Sequence, residues 1–222
     1  MLLFRLKLEN NKILMRKGIR ILLITLLVLV SLAFLMFTGV VVAGFIILPS
    51  SQFHGTWLSP PKPAADFNLQ SAAGMVHLAD FQGKVVMLYF GYTFCPDHCP
   101  LTLSKIKSAI SMLTVQEVNQ VRFVMVSVDP ERDKIKKITD YVHAFRSDFI
   151  GLTGTPSEID DAAKKYGIYY KKNKTNSAAG YLIDHTTSIL VLDKQGRLCL
   201  IWPGTIESSD IVSDLKILIP KR

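Results

Sequence analysis

Two cysteines separated by three residues, Cys95 and Cys99, stand in the run Tyr92-Thr93-Phe94-Cys95-Pro96-Asp97-His98-Cys99-Pro100. At that spacing a turn-like loop lets both sulfurs face one point, where they can close a disulfide or hold one metal ion. Two thiolates are soft donors that select Cu(I), or zinc where more ligands arrive. A structural zinc site takes four ligands, so two cysteines fall short of one. A bridge kept for stability usually ties distant segments, because a longer closed loop constrains the unfolded chain more. The third cysteine, Cys199, alternates within Leu198-Cys199-Leu200-Ile201-Trp202 and reads as a small buried hydrophobe.

Of the five histidines, His54, His77 and His143 fall in a Pro-rich segment, a short hairpin and a helix, and read as structural or solvated. His98 lies inside the Cys loop and can swing toward a metal. His185 begins a strand after a polar stretch. In a thioredoxin-like topology that strand starts beside the loop that carries the cysteines. Thioredoxins place a cis-proline near this point, at about Thr187 here, but no proline occurs between Pro156 and Pro203. An imidazole is offered instead, and imidazole suits copper. Two thiolates with His185 would suit Cu(I), and the histidine adds affinity for Cu(II). Spacing alone leaves His185 open as a ligand.

The elements that must position these groups alternate strand and helix. Lys84–Tyr92 is a continuous apolar run, as expected of a strand buried on both faces. The Cys motif follows directly, and then an amphipathic helix with Leu103, Ile106, Ile110 and Leu113 on one face. A thiol at such a strand–helix junction meets the unpaired amides and positive dipole end of the helix, which stabilise a thiolate. Pro100 is expected at the first helical position. Val121–Val128 reads as a second central strand and Arg132–Phe145 as a helix. Thr155-Pro156-Ser157-Glu158 is a capping box with proline that starts a helix ending at Gly167. Lys171–Gly180 is expected to be a polar, mobile loop. Thr186–Asp193 and Arg197–Trp202 form a hairpin, and Glu207–Ile219 a closing helix. The order implies an α/β domain with a mostly parallel central sheet flanked by helices.

The chain has 222 residues and a formal net charge of +8. Arg5, Lys7, Lys12, Arg16, Lys17 and Arg20 against Glu9 place most of that excess in residues 1–20. The pI therefore reflects topology, and nucleic-acid binding is not read from it. Residues 21–48 carry no charge, and a helix of that length exceeds the roughly 20 residues a bilayer core needs. The basic flank orients such an anchor with its N-terminus in the cytoplasm. The expected divisions are a cytoplasmic tail 1–20, a transmembrane anchor 21–48, a Pro/Ser/Gly-rich linker 49–65, and a folded domain 66–222 outside the cytoplasm.

Gly91-Tyr92-Thr93-Phe94-Cys95-Pro96-Asp97-His98-Cys99-Pro100 resembles the signature of the Sco/SenC family. Val126–Asp133, Ile150–Thr155 and Asp184-His185-Thr186 resemble three further blocks in the same order. The resemblance implies a thioredoxin-like domain that binds copper through Cys95, Cys99 and His185. It further implies a role in metallating the binuclear copper site of cytochrome c oxidase subunit II, so that the protein is an assembly factor rather than an enzyme. The expected partners are that subunit or a similar copper protein, and an upstream periplasmic copper donor or thiol reductant. The expected location is the inner membrane, with the domain in the periplasm. A thiol–disulfide oxidoreductase is the alternative, and a peroxidase, for which Thr93 would be the relevant threonine, a weaker third. His98 stands where the family usually has an aliphatic residue, and Lys134-Ile135-Lys136 replaces a small-Pro-acidic run. Asp97 and Asp129 are expected near the site, Asp129 either functionally or as a helix cap, and Asp184 is expected to orient His185.

Overall fold

The computed structural model describes Lys17 and residues 19–20, 22–38, 53–175 and 180–220. The chain divides into two compact units, Met1–Ser51 and Gln52–Arg222. In the first, residues 22–38 form an α-helix whose apolar side chains, Leu22 to Phe37, are exposed. Among the described residues no helix is long and apolar enough to cross a membrane. Residues 39–48 of the expected anchor, most of the expected tail 1–20, and residues 49–52 lie outside the described residues.

The second unit is built on a six-stranded sheet of order β1-β10-β9-β4-β5-β6. Its strands are β1 (Thr56–Pro63), β4 (Val85–Gly91), β5 (Val121–Ser127), β6 (Ile150–Leu152), β9 (Ile189–Leu192) and β10 (Arg197–Trp202). The helices are α1 (His98–Ser111), the short α2 (Val115–Val118), α3 (Ile135–Phe145), α4 (Pro156–Lys165) and α5 (Ser208–Leu218). Two hairpins stand outside the main sheet: β2 (Asn68–Ser71) with β3 (Gly74–His77), and β7 (Tyr170–Lys174) with β8 (Tyr181–His185).

Every residue of β4 is buried, which fits a strand covered on both faces by the apolar surfaces of its neighbours. Leu103, Ile106 and Ile110 of α1 are buried as the helical period requires, and α1 packs against α5. β4 and β5 run parallel in register from Val85↔Val121 to Gly91↔Ser127. Their carboxyl ends therefore lie side by side, the position where ligand sites gather in α/β sheets.

The sheet is mixed, which corrects the mostly parallel expectation. β4–β5 and β5–β6 are parallel, whereas β4–β9, β9–β10 and β1–β10 are antiparallel. A parallel neighbour needs a crossover connection, usually a helix. Helices separate β4 from β5 and β5 from β6, but only a tight turn joins β9 to β10. That turn is held by the Asp193 carboxylate, which accepts the Gln195 and Arg197 amides at 3.0 Å each, and by Gly196 at φ +71.

Two segments expected to be irregular are strands. Thr56–Pro63 of the expected linker is edge strand β1, paired through Thr56↔Ile201 and Pro63↔Arg197. Its register breaks between Trp57 and Lys62, around Pro60 and Pro61. Proline lacks an N–H to donate and is tolerated on an edge, which is why this composition reads as linker. Phe53 is buried and its ring stacks on Trp57 at 4.5 Å, so the folded unit begins ahead of residue 66. Lys171–Lys174 of the expected loop pair with β8 from Lys171↔Asp184 to Lys174↔Tyr181. This two-stranded ribbon is wet on most positions and shows no apolar alternation. The helix expected from Arg132 starts at Ile135, because residues 129–134 form a turn in which the Asp129 carbonyl accepts the amides of Arg132 and Asp133.

Candidate metal centre

The Cys loop leaves the end of β4 and winds directly into α1. Cys95 is half-buried and its amide donates to the Tyr92 carbonyl at 3.3 Å. Cys99 is fully buried in the first turn of α1. Pro100 is the third residue of that helix rather than the first, still among positions whose amides have no intrahelical partner. The Cys99 amide donates to the Cys95 sulfur at 3.4 Å, and the Tyr89 hydroxyl donates to the Cys99 sulfur at 3.5 Å. Gly91 makes room for this packing: a Cβ there would lie 2.8 Å from the Cys99 sulfur and 2.8 Å from the Tyr89 ring.

His185 comes from a different part of the molecule. It is the last residue of β8, not the first residue of the next strand as the sequence suggests. Its Nδ1 lies 2.9 Å from the Thr186 carbonyl oxygen. A carbonyl only accepts, so Nδ1 donates to it and Nε2 is the ring nitrogen that faces the sulfurs. Nε2 lies 3.6 Å from the Cys99 sulfur. The rings of Tyr89 and Tyr92 stand edge-on to the imidazole at 6.1 and 5.7 Å, forming the apolar side of the site.

The donor atoms of Cys95, Cys99 and His185 all lie within 4.8 Å of one another. Metal–sulfur bonds of about 2.3 Å and metal–nitrogen bonds of about 2.0 Å place neighbouring donors about 3.5–4 Å apart. Two sulfurs and one imidazole at this separation fit a thiophilic cation.

The two thiols share one negative charge. Hydrogen bonding from Cys99 pulls the Cys95 pKa down to about 3, against the opposing effect of burial and with further help from His185 and from the Cys99 and Asp97 amides. The same hydrogen bond, together with burial and the neighbouring charge, pushes Cys99 far up. Cys95 is thus a thiolate at neutral pH, and Cys99 a protonated thiol that points at it.

Side chains beyond the donors hold these pieces in register. The buried Asp133 carboxylate accepts the Thr93 amide at 2.8 Å, the Thr93 hydroxyl, and the Ser127 hydroxyl at 2.7 Å, and Lys137 lies 3.5 Å away. It therefore fixes the start of the Cys loop to the end of β5, and the Thr93 hydroxyl is committed to that role. The Tyr92 hydroxyl accepts the Ile183 amide at 3.1 Å, tying the Cys loop to β8. Asp129 is buried and accepts from the Tyr181 hydroxyl at 2.7 Å and from Arg132. The Arg132 guanidinium donates to the Tyr181 carbonyl at 3.0 Å and lies 3.6 Å from that ring's centroid and 4.6 Å from Phe94's.

Of the other residues singled out in the sequence, Asp129 belongs to this clamp and outside the donor group. Asp184 bonds Asn173 instead of His185, so the Thr186 carbonyl does the orienting. Asp97 and His98 are exposed at the start of α1 and line the same pocket as Cys95 and His185. His143 is exposed, whereas His54 bonds the buried Asp214 at 2.8 Å. Cys199 is buried on β10, with its sulfur 3.4 Å from the Val191 carbonyl. Tyr92, Asp133 and Tyr181 carry roles that the sequence alone does not reveal. An acid six residues past the end of a buried strand, in Ser127-Val128-Asp129-Pro130-Glu131-Arg132-Asp133, is the signal that could have marked Asp133.

The sequence profile of the SCO1/SenC family matches residues 58–220. The chain belongs to the SCO1/SenC family. The human mitochondrial protein "SCO2 homolog" is 34% identical over 151 residues, covering 67% of this chain and 56% of that protein. The chain thus spans little more than half the length of that curated relative. Apo Sco1 from Thermus thermophilus superposes with a TM-score of 0.69 at 41% identity, covering 75% of this chain and 96% of that one. ScoI of Bradyrhizobium japonicum, solved with copper bound, gives a TM-score of 0.64 at 31% identity and covers 70% of this chain and 99% of that one.

Proposed function

We propose that this SCO1/SenC protein is a copper chaperone that holds copper on Cys95, Cys99 and His185. Its recipient, on this reading, is the binuclear copper site of cytochrome c oxidase subunit II, which the family resemblance implies. The observation that carries the proposal is the convergence of two sulfurs and one imidazole nitrogen within 4.8 Å, from elements far apart in sequence. The copper-bound ScoI of Bradyrhizobium japonicum, at 31% identity, supports the choice of metal. The charge-free run 21–48 behind a basic flank supports a single-pass inner-membrane anchor, with its N-terminus in the cytoplasm and the copper domain in the periplasm.

The residues divide the work. Cys95 is already ionised and half-exposed, so it meets an arriving ion first. Cys99 loses its proton as it joins. The Nε2 lone pair of His185, held outward by the Thr186 carbonyl, completes three-fold ligation. Release to a partner proceeds by ligand exchange, one donor leaving as a partner donor arrives.

The ionised Cys95 beside a protonated Cys99 also favours a second reading, a thiol–disulfide reductase. There the Cys95 thiolate attacks a partner disulfide and expels one partner thiolate. Cys99 then loses its proton and attacks the Cys95 sulfur, expelling the second thiolate, and two electrons pass to the partner. The test is metal analysis of the reduced, detergent-solubilised full chain. One copper per chain is expected, with a Cu(II)–thiolate charge-transfer band and loss of both in Cys95→Ala/Cys99→Ala. His185→Ala should lose copper retention and keep disulfide reduction. Equal copper retention in the double cysteine variant would refute the copper site.

A further inference from the structure

A pocket of about 290 Å³ beside Cys95 is lined by Cys95, Asp97, His98, Asp184 and His185 among others. His98 is the first residue of α1 and is exposed. Among the described residues its ring makes no hydrogen bond, ion pair or ring contact, and it adjoins Cys99 in the chain. Asp184, which also lines the pocket, accepts from the Asn173 side chain.

We infer that His98 is a fourth ligand for the Cu(II) form of the bound ion, which Cu(I) does without. The inference rests on the copper reading above. Cu(II) favours four donors in a tetragonal arrangement and takes imidazole readily, whereas Cu(I) is satisfied by soft sulfur donors. Cys95, Cys99 and His185 supply three donors, which leaves one position for Cu(II). His98 shares the pocket with Cys95 and His185, and it breaks no interaction when it moves between staggered rotamers. A second imidazole at the mouth makes the site sensitive to oxidation state. It tightens on Cu(II) and opens on Cu(I), the form in which the ion is most easily passed to another thiolate site.

The test uses the reduced full chain in detergent with ¹⁵N-histidine, loaded with Cu(II) and examined by pulsed EPR, alongside His98→Ala and His98→Asn. Two imidazole couplings are expected in the wild type and one in each variant. Chelator competition should show a loss of at least about tenfold in Cu(II) affinity, since even a partner of a ligand is worth that much. Cu(I) affinity should change less than twofold. One coupling in the wild type, unchanged in both variants and with equal Cu(II) affinity, overturns the inference while leaving the three-ligand site standing. Failure of the wild type to retain either ion overturns both. Far-UV circular dichroism equal to wild type verifies that the exposed substitutions leave the fold intact.

Discussion

The loop that carries Cys95 and Cys99 leaves a strand with every residue buried and enters a helix whose inner face lies in the core. Among the described residues, the two strands of the hairpin that carries His185 pair only with each other, and Ile183 is their one buried residue. It reaches the sulfurs through side-chain ties: Tyr181 to Asp129 and Arg132, and the Ile183 amide to Tyr92. The sulfurs are thus fixed by the main core and the imidazole by a removable arm. On the proposed chaperone reading, a site that holds and then surrenders its ion gains from that division, because one donor can leave without disturbing the other two.

The largest expected effect concerns the charge on Cys95. Its acidity comes first from Cys99, within the rigid loop, and only then from His185 on the arm. An ordinary thiol gains thiolate about a thousandfold between pH 5 and 8, since its pKa is about 8.5. Alkylation of Cys95 by iodoacetamide should instead be nearly flat across that range. Cys99→Ala should restore most of the ordinary pH dependence, and His185→Ala less of it. A larger shift in His185→Ala would reverse the comparison and make the arm the source of reactivity. The same depression sets the sign for stability. An ionised Cys95 contributes fully above the unfolded thiol pKa, and that contribution fades as pH falls toward about 3.

Smaller effects should separate the two regions by where stability is lost. Asp133→Ala strands the Thr93 amide, the Thr93 hydroxyl and the Ser127 hydroxyl. At about 1 kcal/mol for each donor it should lower global stability by about 3 kcal/mol in urea unfolding. Tyr181→Phe removes the bond to Asp129 and should cost about 1 kcal/mol. That loss should appear as faster amide exchange in β8, including the Ile183 amide, with the urea midpoint nearly unchanged. Equal losses of global stability in the two variants would show that the hairpin unfolds with the core.

The same division explains what the sequence discloses. The apolar run Lys84–Tyr92, the helical period through Leu103, Ile106 and Ile110, and the capping box at Thr155 are local signals backed by burial. The structure has β4, α1 and α4 in those places. The Cys pair is legible because its spacing and junction are local too. The β7 strand is not, because Lys171, Lys172 and Lys174 face water and follow no apolar period. β1 is hidden by prolines that only an edge position tolerates. Asp133 and Tyr181 are hidden for another reason: their partners, Thr93 and Asp129, lie 40 and 52 residues away. The resemblance to the family names His185, whereas topology alone offers it only as one open possibility.

The smallest effect belongs to Asp184, next to His185 and a natural candidate to orient it. Residues that orient a metal-bound histidine are worth about 10–100-fold in metal affinity. Here the Asp184 carboxylate faces Asn173 across the hairpin, and the proton on Nδ1 of His185 goes to the Thr186 carbonyl. Asp184→Ala should therefore change copper affinity by less than twofold in chelator competition, and leave the Cys95 alkylation profile as in the wild type. A loss of tenfold or more would place Asp184 in contact with the imidazole in the loaded protein, and would mean that the arm rearranges when it takes up the ion. The main-chain carbonyl has a further consequence: no side-chain substitution can remove it. The ring orientation of His185 therefore depends on how β8 is held, so the same Tyr92 and Tyr181 contacts that keep the arm in place also keep Nε2 aimed at the sulfurs.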